Sequence, residues 1–440
     1  MQRELLPSYA KASIERAIPR LEDGLKPSGR KALWAARKVL REPISVANAA
    51  GKFASLSHYH HRGTAMEGTI VHMAIDYVGA PNINLFTPLG QFGSRHSHAP
   101  ASAAYPKIAL EAIADKLFPP ADAPVLTYVE DEGAFVEPTV FVGVIPASLC
   151  FGGKGIATGW RTELPQFDPK DLVRACELAA GADHAACESF AAQMKPFFRG
   201  FSGTVVPDDK GGWNVCGRYE RRGDELHVLD VPPVKENDAF KEDWSKHFTL
   251  LEGDGHTDSA FHVILKDFEF EKWTSHDDIV SALQLSKRVS FDNAFLLYGS
   301  ATLPKQYKSV HEVLVAHSDA RLALYDRRLE HEREKALQAS RIARDRARFI
   351  RECIDQSIAP LSSFEDDEAL FAVLAERDYG KDADGTFKYL SSMPVRSFTV
   401  KKMKELDEAA ADADQRHDEL VKTTARELWA KELEELSAVL

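Results

Sequence analysis

Two charged stretches constrain the fold more than anything else in this chain. Residues 308–356 carry Leu322, Tyr325, Leu329, Ala336, Ala339, Ala343 and Ile350 on alternating three- and four-residue steps, with Glu332 and Arg346 interrupting the stripe. Residues 399–421 repeat the spacing through Met403, Leu406, Ala410, Ala413, His417 and Leu420. A narrow apolar stripe of this period, flanked by charge, is a heptad seam. Two such segments, joined by about forty residues, predict an antiparallel coiled-coil arm with a small globular tip. At about 1.5 Å per residue the outgoing helix spans roughly 60 Å. The alternative is a simple helical hairpin packed on the body. Thr424 and Glu427 have the spacing of a capping box for a last helix bearing Leu428, Trp429, Leu433 and Leu436. Its apolar face can pack within the chain or form a dimer contact.

The remaining sequence is too long for one core. Residues 1–150 read as short helices broken by Gly/Pro loops. Ser28 can cap a helix beginning near Gly29, along which Arg30, Lys31, Leu33, Trp34, Arg37 and Lys38 give one apolar and one basic face. A second helix, about 64–78, carries Met66, Ile70, Met73, Ala74 and Tyr77 on one side. Successive helices with a basic face fit a winged-helix or helix-turn-helix module. Residues 140–146 read as a buried strand and the GGKGIATGW run as a tight glycine turn. From about 161 to 300 helices mix with strands, for example 227–231 and 261–265. The expected fold class is multidomain α+β, mainly helical.

Composition narrows the function. No apolar run approaches the ~18–20 residues of a membrane span, and the start, MQRELLPSYAKAS, lacks the apolar core of a secretory signal. Five scattered cysteines without a C-x-x-C pair fit a reducing, cytoplasmic compartment. The net charge of −12 is unevenly distributed. Residues 1–110 hold 14 Lys/Arg against 7 Asp/Glu, with six of the 16 His. A basic head on an acidic body suits a protein that holds a polyanion at one end and protein partners at the other.

Residues 55–105 are dense in histidine, glycine and asparagine and end at Tyr105. Most tyrosines are packing residues with a polar tip. In this setting the phenol oxygen can instead be a covalent nucleophile. The segment contains Tyr59-His60-His61, then Gly68-Thr69-Ile70-Val71-x-Met73-Ala74, then Asn82-Ile83-Asn84-Leu85, then Gly90-Gln91-Phe92-Gly93-Ser94-Arg95. Upstream stands Arg16-Ala17-Ile18-Pro19-x-x-Glu22-Asp23-Gly24-Leu25-Lys26-Pro27-Ser28-x-Arg30-Lys31. Downstream are Gly155-Ile156-Ala157-Thr158-Gly159-Trp160 and Tyr389-Leu390-Ser391-x-Met393-Pro394. In this order the motifs resemble the breakage–reunion core of type IIA DNA topoisomerases. In organisation the chain resembles the medium subunit of T-even phage enzymes.

The resemblance implies a winged-helix DNA-gate domain over 1–150, an α/β tower domain over 151–305, and a coiled coil with a C-gate dimerisation domain over 306–440. It implies that Tyr105 attacks a DNA phosphate to give a 5′-phosphotyrosyl link. A phenol of pKa near ~10 must lose its proton in that attack, and positive charge must stabilise the transition state. Arg30, His60 and His61 are the implied catalytic neighbours. Lys31, Arg62, Arg95 and Lys107 are the implied DNA contacts, and Ile156 the wedge that enters the minor groove and kinks the duplex. The implied partners are double-stranded DNA, a second copy through the C-gate, and one or more ATPase/TOPRIM subunits carrying ATP and most of the Mg²⁺ coordination. No membrane is involved, and the chain works in the cytoplasm, the host's if phage-encoded. Glu365 to Glu368, Asp382 and Asp384 read as solvated, so no metal ligand is assigned, and Gly152-Gly153-Lys154-Gly155 lacks P-loop spacing. The sequence departs from the family where the arginine usual before the nucleophile is Ala104, a later basic position is Ala109, and the acid after the histidine pair's glycine is missing from His61-Arg62-Gly63. The competing reading, motivated by Ala104, is a DNA-bending scaffold impaired in cleavage.

Overall fold

Helix and strand are mixed up to residue 306, and the described elements beyond it are helical. The computed structural model describes residues 2–254, 256–257, 260–266, 268–273, 275–359, 364–382 and 384–440. They divide into two compact units, one of residues up to 323 together with 429–440, the other of 324–428.

The first unit opens with α1 (Gln2–Ala17) and α2 (Pro27–Val39). Contrary to expectation, α2 begins at Pro27, with Lys26 at the N-cap and no side-chain cap from Ser28. Proline's fixed φ suits the first helical position, where no N–H is needed. Strand β1 (Ile44–Ser45) leads into α3 (Val46–Leu56), and α4 (Gly63–Ala74) follows. Helix α4 stops short of 78 because the Asn84 side-chain amide donates to the Ala74 and Ile75 carbonyls at 2.7 and 2.9 Å. Tyr77 therefore lies beyond it. The three helices pack together through Leu33, Ala36, Ala49, Phe53, Met66 and Ile70, all buried. Beside them β2 (Phe86–Leu89) and β3 (Lys107–Leu110) join β1 in an antiparallel sheet of order β1-β3-β2.

Helix α5 (Ala112–Leu117) precedes the hairpin β4 (Tyr128–Asp131) and β5 (Ala134–Pro138). Residues 140–146 are not the strand their hydrophobicity suggests. They are mostly buried, but their amides go to separate partners: Phe141 N to Asp23 Oδ2 (3.1 Å), Gly143 N to Glu22 O (3.1 Å), Val144 N to Leu117 O (2.8 Å). Burial without a continuous neighbour leaves no ladder. After α6 (Ala147–Phe151) comes the hairpin β6 (Gly153–Ala157) and β7 (Trp160–Leu164), then α7 (Pro169–Ala180) and α8 (His184–Gln193).

The following region carries two antiparallel sheets. Strands β8 (Thr204–Pro207) and β9 (Trp213–Cys216) combine with β14 (Ser286–Val289) in the order β14-β9-β8. Strands β10 (Arg218–Arg222), β11 (Glu225–Asp230), β12 (Thr249–Glu252) and β13 (Val263–Lys266) form a second, ordered β10-β11-β13-β12. Both strands expected from sequence here are present. Helices α9 (Asn237–Ser245) and α10 (His276–Ala282) cover a core of Leu226, Val228, Phe240, Trp244, Leu265 and Leu283. A short pair, β15 (Phe295–Leu296) and β16 (Lys305–Gln306), precedes α11 (Val310–Ile354), whose 45 residues run on into the second unit.

Helices α12 (Asp367–Glu376), α13 (Lys388–Ser391) and α14 (Val400–Lys422) follow, and α15 (Ala425–Ser437) ends the fold. Within the second unit α11 and α14 run antiparallel. Arg333 donates to the Leu420 and Thr423 carbonyls, Ser340 Oγ to Asp414 at 2.6 Å, and Arg351 lies 3.5 Å from Asp407. The seam differs from expectation at two places: Ala339 is exposed while Ser340 is buried, and Ala347 is buried. Asp414 satisfies the serine hydroxyl, so a polar residue holds the inward position. A local core of Phe349, Leu370, Leu374, Tyr379, Phe387 and Leu390 closes this unit.

The predicted capping box of α15 forms: Thr424 N donates to Glu427 Oε2 at 2.8 Å and Glu427 N to Thr424 Oγ1 at 3.2 Å. Its apolar face packs on its own chain, one of the two expected alternatives, rather than at the dimer contact that the resemblance favours. Trp429, Leu433 and Leu436 are fully buried, and Trp429 Nε1 donates to Val144 O at 2.8 Å. Arg321 of α11 pairs there with Asp122 (2.5 Å) and Glu432 (2.9 Å).

Candidate active site

Tyr105 sits on a turn, its N–H donating to Ser102 O at 2.9 Å, immediately before β3. The carbonyls on either side accept the first amides of α3: Val46 N to Pro106 O and Ala47 N to Ala103 O, both 2.9 Å. The turn thus satisfies donors that a helix start leaves free, and the positive end of the α3 dipole lies beneath it. The side chain is 77 % exposed, unusual for so large an aromatic. Ala104 and Lys107 are also exposed.

His60, His61 and Arg62 lead into α4, with Arg62 at its N-cap and no acid in its first turn. All three are exposed. His60 Nε2 lies 3.1 Å from Asp131 Oδ2 at the tip of the β4–β5 hairpin, and the His61 and Tyr59 rings meet edge-on at 5.2 Å. A helix start ringed by such groups is suited to an anion.

The other expected cations are interior. Arg30, 5 % exposed, makes a two-pronged pair with Asp23 (Nε–Oδ2 2.7 Å, Nη2–Oδ1 3.1 Å) and also reaches Leu25 O. Lys31 donates to Ser57 O (2.5 Å) and Glu137 (2.9 Å), joining α2 to the end of α3 and to β5. Arg95, 4 % exposed, pairs with Asp230 at the end of β11. A buried cation needs such a carboxylate. The structure therefore keeps these three within the framework, whereas Tyr105, His60, His61, Arg62 and Lys107 face solvent.

A cleft of about 750 Å³ opens in the same unit, lined by Lys26, His72, His98, Lys154, Lys235 and Lys287 against the single acid Glu163. Burial holds the Lys26 ammonium below its usual range, and burial with the nearby Lys26 charge does the same to His72. Ile156, 82 % exposed, stands on the β6–β7 hairpin, whose turn uses Gly159 at φ +79. Gly155 lets that hairpin meet α1, since a Cβ there would lie 2.1 Å from Ala17 O. Among the described residues no three His, Cys, Asp or Glu converge as metal ligands. The described residues offer no Mg²⁺ site, and Gly153 to Ala157 form a strand rather than a phosphate loop. No described helix is long and apolar enough to cross a membrane.

An exposed tyrosine on a helix-capping turn, a histidine-rich helix start and a basic cleft thus lie within the first unit. The family of A-type subunits of DNA gyrase/topoisomerase IV matches residues 16–434, and this chain belongs to it. It is 29 % identical over 442 residues to DNA topoisomerase 2 of Trypanosoma cruzi, covering 97 % of this chain and 35 % of that protein. It is 33 % identical over 334 residues to DNA topoisomerase 2 of Crithidia fasciculata, covering 73 % of this chain and 26 % of that protein. The chain thus spans about a third of the length of the curated relatives it matches. In fold it is similar to the Plasmodium falciparum topoisomerase II DNA-binding, cleavage and re-ligation domain, with a TM-score of 0.86 at 24 % identity over 98 % of this chain and 63 % of that one.

Sequence reasoning missed the acids that organise the site. Asp23 lies in the Asp-Gly-Leu-Lys-Pro motif itself, and Asp131 in a Glu-Asp-Glu-Gly turn that signals a hairpin. Asp230 carries no local signal.

Proposed function

We propose that this chain is the DNA-cleaving core of a type II topoisomerase. The observation that carries the reading is Tyr105, exposed on the α3 cap within a chain of this family. Its phenol oxygen attacks a backbone phosphorus while the bond to the 3′ oxygen breaks. The phenol proton leaves and the 3′ oxygen takes one up. The bond energy is kept in the tyrosyl phosphodiester, and the reverse reaction religates the strand. His60, oriented by Asp131, and His61 are the groups suited to move the proton or stabilise the phosphate. Arg62 and Lys107 bind the backbone, with the basic cleft carrying the duplex. Ile156 wedges between base pairs from the minor groove. Arg30, Lys31 and Arg95 act from the interior, holding the site's frame.

On this reading residues 1–150 form the winged-helix gate, 151–305 the tower, and 306–440 an antiparallel coiled coil with the C-gate of a homodimer. The antiparallel contacts of α11 and α14 support the last. ATP and Mg²⁺ are supplied by ATPase and TOPRIM modules of a partner. The chain is mixed with duplex, Mg²⁺ and such a partner, then trapped with denaturant. A DNA–protein adduct is expected, absent in Tyr105→Phe, while Tyr105→Phe retains salt-dependent duplex binding. Duplex bending without any adduct would leave the scaffold reading in its place.

A further inference from the structure

We propose that Asp230 and Glu236 are positioning residues for Tyr105, acting on it through the segment Arg95 to His98. The inference rests on Tyr105 being the nucleophile, and concerns what fixes its place. Between Gly93 and Tyr105 the chain is tied at both ends, and between them Ala101 N donates to Gln91 O at 3.1 Å. At the far end the carbonyls of Ala103 and Pro106 cap α3. At the near end Arg95 pairs with buried Asp230, whose oxygens also accept Val231 N at 2.9 Å, Ser202 N at 2.7 Å and Ser202 Oγ at 2.8 Å. The Arg95 and His96 carbonyls accept Asn237 N and Asp238 N, the first amides of α9, at 2.9 and 3.2 Å. The α9 N-cap residue, Glu236, returns a contact, its carboxylate accepting His98 N at 2.9 Å. The His98 ring stacks on Tyr77 at 4.8 Å.

The span from 99 to 104 is Ala-Pro-Ala-Ser-Ala-Ala, with none of its residues buried. Small exposed side chains cannot fix a loop by packing. The position of Tyr105 along that span therefore follows from its two anchors and from the Ala101–Gln91 bond between them. One anchor belongs to the helical region around the tyrosine itself. The other belongs to the separate β10-β11-β13-β12 sheet and its covering helix. A small misplacement of a nucleophile lowers the reaction rate without altering substrate binding, by up to ~100-fold for about 1 Å.

The test uses the full chain with its TOPRIM-bearing partner and a 5′-labelled duplex. Glu236→Ala is expected to slow adduct formation at saturating duplex by about tenfold, with the Kd for duplex unchanged and Glu236→Gln restoring the rate. Asp230→Asn is expected to act in the same direction. An unchanged rate, or a rate loss matched by lost affinity, would overturn the proposal. Amide hydrogen exchange in the free chain reads the anchor without any cleavage. Both variants should speed exchange at residues 98–105 while leaving Val228 and Leu265 protected. Unaltered exchange across 98–105 overturns the anchor even if Tyr105 is the nucleophile. Adducts surviving Tyr105→Phe overturn the nucleophile and the positioning claim with it, even if the exchange arm succeeds.

Discussion

Tyr105 and Ile156 are large apolar or aromatic side chains left in solvent, and their substitution should cost the fold little. Ile156→Ala is expected to change stability by less than about 0.5 kcal/mol and to reduce duplex bending, read by fluorescence transfer between labelled DNA ends. Equal bending by the variant would remove the wedge. Arg30 is the opposite case. Arg30→Met leaves the buried Asp23 carboxylate with the Leu25 and Phe141 amides but no counter-charge, and should cost about 3–5 kcal/mol, seen as a lower denaturation midpoint. This contrast was only half legible in the sequence. The residue types of an anion site were plain, since Tyr, His, Arg and Lys cluster within residues 30–107. Which cations are spent internally was not, because Arg95 and Lys31 find Asp230 and Glu137 from far along the chain.

Elements were read best where periodicity and capping agreed. The two long antiparallel helices and the Thr424–Glu427 box are visible in spacing alone, because both depend on residues three or four apart. The 140–146 segment failed because hydrophobicity reports burial, not a ladder partner. Ser340 failed because its partner, Asp414, lies 74 residues away. The β6–β7 hairpin gives a prediction at this scale. Gly155→Val brings a side chain against Ala17 O and should loosen the hairpin from α1. Faster amide exchange at Ile156 to Trp160 would show it; unchanged exchange would mean that α1 does not hold the wedge.

Across the first unit, the chain's last helix is clamped by Trp429 and by Arg321 between Asp122 and Glu432. Beside them, burial and then the Arg321 charge push the His317 imidazole down to about 3. The unfolded chain takes up this proton first, so stability is full above the ordinary pKa of about 6.5 and falls as pH drops toward 3, by at most about 1.4 kcal/mol per pH unit. Urea midpoints between pH 7 and 4 should fall more steeply for the natural chain than for His317→Leu; parallel profiles would contradict this. The most direct test of the whole account is the chemical identity of the DNA adduct. Trypsin cleavage after Arg95 and Lys107 releases residues 96–107, in which Tyr105 is the sole tyrosine. After nuclease digestion of trapped complexes, mass spectrometry should find a 5′-phosphonucleotide on that peptide, at Tyr105. A nucleotide on any other residue, or cut DNA with this peptide unmodified, would contradict the account.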